Sequence, residues 1–140
     1  MITYIDTSSL LKLLIDEDGS DRVELIWDTA DTLASVALIV VESRAALATA
    51  RRGRRLSISQ HQRAVDEVTA LIDEISIVEV TEDLLEHAAQ LAEEESLRGY
   101  DAVHLAAALA VEATVLSSAD TDLCDAAERR GLHVSNPLAP

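Results

Sequence analysis

Strand-like and helix-like patterns alternate along the whole of this 140-residue chain. Five short runs, "ITYI", "TLASV", "SIVEV", "ATVLSS" and "LHVSN", have the β-branched character of strands. Between them lie longer stretches with apolar residues three and four apart, as in a helix packed on one face. Strands separated by helices imply right-handed crossovers and a parallel sheet covered on both faces. In such a sheet ligands bind beyond the carboxyl ends of the strands. The residues just past each strand end therefore carry the functional information.

The first helix is expected over "DTSSLLKLLID", with Asp6, Thr7 or Ser8 able to cap it. "SDRVELIWDTA" reads as a second, and "ALIVVESRAALATARRG" as a long, mostly apolar third that stops near Gly53. "SISQHQRAVDEVTALIDEI", "TEDLLEHAAQLAEEESL" capped by Thr81, "YDAVHLAAALAVE" and "DTDLCDAAERRG" complete the set. Residues 1–136 read as a single domain and 137–140 as a short C-terminal tail, "NPLAP" being the only stretch that looks loose. Aromatic residues are only 2% of the chain, so its core must be built from Leu, Ile, Val and Ala.

Charge narrows the partners. There are 26 acids against 11 bases, a net charge of −15, which taken alone argues against a nucleic-acid surface. The bases are clustered, however: Arg44, Arg51, Arg52, Arg54 and Arg55 stand close together, and could form a positive rim for an RNA backbone or simply a solvated helix end. The lone Cys124 reads as a small buried hydrophobe; with no second thiol, a reducing, cytoplasmic setting is expected. No secretion signal is visible, and the longest apolar run, "LASVALIVV", is too short to span a bilayer.

Four acids fall in functional places. Asp6 closes the first strand and Asp120 follows the fourth. Glu42 sits inside an apolar helical run, where an unpaired acid should not face inward. Asp101 occupies the first turn of another apolar helix, where the helix dipole favours a carboxylate. Each has a plainer reading: Asp6, Asp101 and Asp120 as helix caps, Glu42 paired with an arginine or facing water. Carboxylates gathered at one sheet edge would raise one another's pKa unless a cation lay between them. Oxygen-only ligands suit Mg²⁺ or Mn²⁺.

The motifs "YIDTSSLLKLL", "VESRAAL", "GYDAVHLAAAL" and "VLSSADTDL", in that order, resemble those of PIN-domain ribonucleases, and most nearly the VapC toxins of bacterial type II toxin–antitoxin modules. The resemblance covers essentially the whole chain. It implies an α/β fold with a five-stranded parallel sheet of order about 3-2-1-4-5 and helices on both faces. It also implies Mg²⁺- or Mn²⁺-dependent endonucleolytic cleavage of RNA, inhibition by a cognate VapB-type antitoxin, and a homodimer. By position Asp6, Glu42, Asp101 and Asp120 match the family's catalytic, metal-holding acids, and Asp122 could share or replace the role of Asp120. Ser8 or Ser118 could orient an acid by hydrogen bond. Leu10, Leu14, Val23 and Ile26 are candidates for an antitoxin groove, although core packing explains most of them.

Other chemistries fit less well. The histidines, His61, His87, His104 and His133, form no zinc-binding spacing. His104 shares a helix face with Asp101 and reads as a packed structural residue. Trp27 reads as core rather than as a platform for a base. A phosphoaspartate hydrolase would need an acid where Ser8 stands, and a receiver domain a lysine near its end, whereas Lys12 is the only lysine. A non-toxin PIN protein or a non-catalytic acidic-pocket binding module is the alternative.

Overall fold

The computed structural model describes all 140 residues. Five strands, β1 (Ile2–Ile5), β2 (Thr32–Val36), β3 (Ser76–Val78), β4 (Val115–Ser117) and β5 (His133–Ser135), form one sheet. Its order is β3-β2-β1-β4-β5 and every pairing is parallel. The helices are α1 (Thr7–Leu11), α2 (Ser20–Thr29), α3 (Leu38–Arg52), α4 (Ile58–Ile72), α5 (Glu82–Glu95), α6 (Gly99–Ala110) and α7 (Thr121–Arg129). None is long and apolar enough to cross a membrane.

Side-chain alternation along β1 divides the core in two. Tyr4 joins a cluster built with α5, α6 and α7, including Leu91, Leu105, Leu116 and Leu123. Ile5 joins a second cluster with Leu10, Ile39, Leu47 and Val68, against which Trp27 packs. Residues 101 to 108 of α6 are all buried, so this helix is enclosed rather than amphipathic. Enclosure carries Asp101 and His104 inside with their apolar neighbours.

The register then fixes the functional edge. Ile5 pairs with Ser117, so Asp6 and Ser118 emerge side by side from adjacent central strands. The Asp6 N–H donates to the Ser117 carbonyl at 3.2 Å, the last rung before the strands part.

Three expectations need correction. The first helix is only five residues long; the N–H groups of Lys12, Leu13 and Leu14 donate three residues back, so "KLL" continues as tight turns. The tail is not loose at its start. Pro137 is buried, and a Cβ on Gly19, itself at φ +89°, would stand 2.8 Å from the Pro137 carbonyl oxygen. Arg22 donates to the carbonyls of Asn136 and Ala139. Finally, Val40 and Val41 of the apolar third helix face outward, Val41 being 71% exposed.

Candidate active site

Asp6 is 4% exposed, yet its carboxylate is fully engaged. Oδ1 accepts from the Ser9 N–H at 3.0 Å, which caps α1, and from the Ser8 hydroxyl at 2.7 Å. Oδ2 accepts from the Ser118 hydroxyl at 2.6 Å. Burial pushes the Asp6 carboxyl above its ordinary range, while His104 and these hydrogen bonds act against the rise.

The serines stitch the two strand ends together. Ser118 Oγ, which serves Asp6, also accepts the Asp120 N–H at 3.0 Å. Ser8 Oγ accepts the Ala119 N–H at 2.9 Å. Asp120 is thereby tied to Asp6 through one hydroxyl. Its own Oδ1 caps α7 by accepting the Leu123 N–H at 3.0 Å. The capping readings of Asp6 and Asp120 are thus correct, and they hold both carboxylates at the sheet edge.

Asp101 does not cap its helix; Arg98 occupies the cap position. Instead Asp101 Oδ2 accepts Arg98 Nε–H at 3.0 Å, and Asp120 Oδ2 accepts Arg98 Nη2–H at 2.8 Å. One guanidinium therefore bridges the two acids. Burial pushes the Asp101 carboxyl up, Arg98 draws it back, and the charge of Asp120 adds to the rise.

Glu42 pairs with neither an arginine nor water alone. Its Oε1 accepts from Thr7 Oγ1 at 2.9 Å and from His104 Nε2 at 2.7 Å. Burial would raise this carboxyl, but these two donors overcome it and leave it below its ordinary range. On the other side of the ring, Nδ1 lies 2.8 Å from the Tyr4 hydroxyl. Tyr4 is fully buried and burial holds its phenol well above 10.0, so it keeps its proton. The carboxylate can only accept, so Nε2 carries a proton toward Glu42, while Nδ1 and the Tyr4 hydroxyl share one hydrogen bond.

Four acids from separate segments thus share one edge, linked through Ser118, Arg98 and the α6 face that carries both Asp101 and His104. Asp122 does not join them; it is exposed in the first turn of α7. Nor do the arginines. Arg44, Arg51, Arg52, Arg54 and Arg55 are all exposed, and Arg51 lies about 14 Å along α3 from Glu42. Arg55 pairs with Glu17, which also holds Lys12. Leu10 and Val23 are fully buried core, which removes them from any groove; only Leu14 and Ile26 remain partly exposed. Residues missed in the sequence are Arg98 and Tyr4, and Thr7 reads there only as a possible helix cap. Arg98 had a signal, its spacing of three residues before Asp101 on one helix end.

The donor set is of the right chemistry for a hard divalent cation, being carboxylate and hydroxyl oxygen throughout. Burial raises the Asp6 and Asp101 carboxyls, the charge of Asp120 adding to the rise at Asp101, and a cation at this edge would favour their ionised forms. The side chains do not, however, form a ligating group of three or more; Arg98 stands between Asp101 and Asp120.

Comparison with known proteins agrees with this geometry. The PIN domain family model matches residues 3–129. Ribonuclease VapC45 of Mycobacterium tuberculosis strain CDC 1551 / Oshkosh is 41% identical over 110 residues, 79% of this chain and 76% of that protein. FitAcB from Neisseria gonorrhoeae superposes with a TM-score of 0.75 at 19% identity, covering 100% of both chains. A toxin–antitoxin complex from Klebsiella pneumoniae gives a TM-score of 0.68 at 19% identity, covering 99% of each chain. On the sheet order, the acidic edge and these matches, the chain belongs to the PIN-domain family, in its VapC ribonuclease branch.

Proposed function

We propose that this chain is the toxin of a type II toxin–antitoxin pair and cleaves RNA phosphodiester bonds with Mg²⁺ or Mn²⁺. The observation that carries the proposal is the gathering of Asp6, Glu42, Asp101 and Asp120 at one sheet edge in a VapC relative. These four are the proposed metal-holding and catalytic residues. A divalent cation bound there supplies Lewis acidity toward a phosphodiester and lowers the pKa of water.

The chain's own residues do the rest. Ser8, Ser9 and Ser118 hold Asp6 in one orientation, so little reorganisation is needed when it takes a ligand. His104 and Thr7 keep Glu42 ionised and aimed at the edge. Asp101 and Asp120 present oxygens that a guanidinium already engages. The exposed Arg44, Arg51, Arg52 and Arg54 offer charge for an RNA backbone on an otherwise acidic protein.

The proposed inhibitor is a VapB-type antitoxin, consistent with a structural neighbour that is a toxin–antitoxin complex. A homodimer acting in the cytoplasm completes the reading. The test is incubation of the purified chain with mixed RNAs, with Mn²⁺, Mg²⁺ or EDTA, beside Asp6→Asn. Cleavage that needs a metal and is lost in the variant is expected. Cleavage that persists in EDTA or in Asp6→Asn overturns the proposal. Inactivity with every metal, together with tight binding of a small protein, favours an acidic-pocket binding module instead.

A further inference from the structure

We infer that Arg98 is a built-in counter-ion for Asp101 and Asp120, seated where a divalent cation would bind and displaced by it. The inference rests on the metal reading above and concerns how that site is filled.

The geometry carries it first. One planar guanidinium engages Asp101 through Nε and Asp120 through Nη2, at 3.0 and 2.8 Å. Both bonds end on the Oδ2 atoms, so a metal binding there would have to share or displace them. The other two acids are treated differently. Asp6 and Glu42 are held by hydroxyls, a backbone N–H and an imidazole. Only between Asp101 and Asp120 does a permanent positive charge intervene.

Arg98 is also free to leave. Its side chain is 62% exposed and makes no capping bond for α6. Its guanidinium makes no hydrogen bond or ion pair beyond the two acids and lies over the exposed Tyr100, its carbon 4.8 Å from the ring centroid. No buried partner loses a hydrogen bond when it swings out except the acids themselves. Metal and guanidinium therefore compete for the same oxygens, and the competition lowers apparent metal affinity by the strength of the clasp. Arg98 thus sets the metal concentration at which the edge is occupied.

The test is calorimetric titration of Mn²⁺ alone into the full chain, Arg98→Gln, Arg98→Lys and Asp6→Asn at low ionic strength. Folding of each is checked by circular dichroism. Two partly exposed ion pairs are weak, so Arg98→Gln is expected to bind Mn²⁺ about fivefold more tightly than the native chain. Arg98→Lys keeps the charge but cannot span both carboxylates, and falls between the two. It decides the matter alone if the glutamine variant does not fold. Native-like or weaker binding by the Arg98 variants overturns the inference while leaving the metal reading intact. Absence of Mn²⁺ binding in native chain and Arg98 variants alike overturns both.

Discussion

His104 Nε2 stands 2.7 Å from Glu42 Oε1, while the opposite nitrogen of the same ring meets the Tyr4 hydroxyl at 2.8 Å. The rings of Tyr4 and His104 pack edge to face, 5.7 Å between centroids. A strand-one side chain thereby reaches a helix-three carboxylate through helix six. Because Tyr4 and His104 are buried, each polar atom in this chain needs its partner.

Tyr4→Phe keeps the ring and removes one hydroxyl. His104 Nδ1 then loses its hydrogen-bond partner in a buried site, at a cost of about 1–3 kcal/mol. Urea unfolding followed by circular dichroism should show a lower midpoint with an unchanged slope. A variant as stable as the native chain would show that the hydroxyl does not support His104.

Asp6 gives a pH dependence of definite sign. Burial raises its folded-state pKa above the ordinary 3.8, so the ionised form costs the folded chain stability. That cost is absent below 3.8 and complete once pH exceeds the raised folded-state value. Asp6→Asn removes the charge and retains an oxygen able to cap α1. In EDTA at pH 7 the variant should melt at a higher temperature than the native chain. The gap should close as pH falls toward about 4. Added Mn²⁺ should stabilise only the native chain. A variant that melts lower in EDTA at pH 7 contradicts the assigned cost.

Cys124 should be inert. Burial first, then the charge of Asp6, pushes its thiol up to about 12, and its hydrogen donates to the Ser118 carbonyl. Only the thiolate reacts readily. A disulfide reagent at pH 8 should leave the folded chain unlabelled and label it promptly in guanidinium. Prompt labelling of the folded chain would place Cys124 at a mobile surface.

The parallel sheet and its acidic edge were legible because strand ends are local features, whereas the strand order came only with the resemblance to PIN-domain ribonucleases. "YID" and "LSSAD" mark where a β-run meets polar residues, and parallel pairing brings such ends together. Glu42 and Asp101 stood out as acids within apolar helices. What holds the acids was less legible. Ser8 and Ser118 were candidates by proximity, but the Glu42–His104 contact joins residues 62 apart in sequence. His104 read as a packed residue, and it is one, 2% exposed; its second role depends on the approach of α6 to α3. The early end of α1 and the anchoring of Pro137 depend on tertiary contacts that override local pattern.

The arginines at the end of α3 allow a test that leaves the acids untouched. Arg51, Arg52 and Arg54 are exposed, and Arg51 and Arg54 make no side-chain ion pair, so their charge is available to phosphates. Arg55 is committed to Glu17. Replacing Arg51 and Arg54 together by glutamine should weaken binding of single-stranded RNA by catalytically dead Asp6→Asn. If each neutralises one phosphate, the slope of log K against log salt should flatten by about 1.4. In the native background, KM should rise while kcat stays unchanged, because the acids keep their contacts. An unchanged salt slope would show that the RNA leaves the acidic edge by another path, and that these arginines serve only to solvate the end of α3.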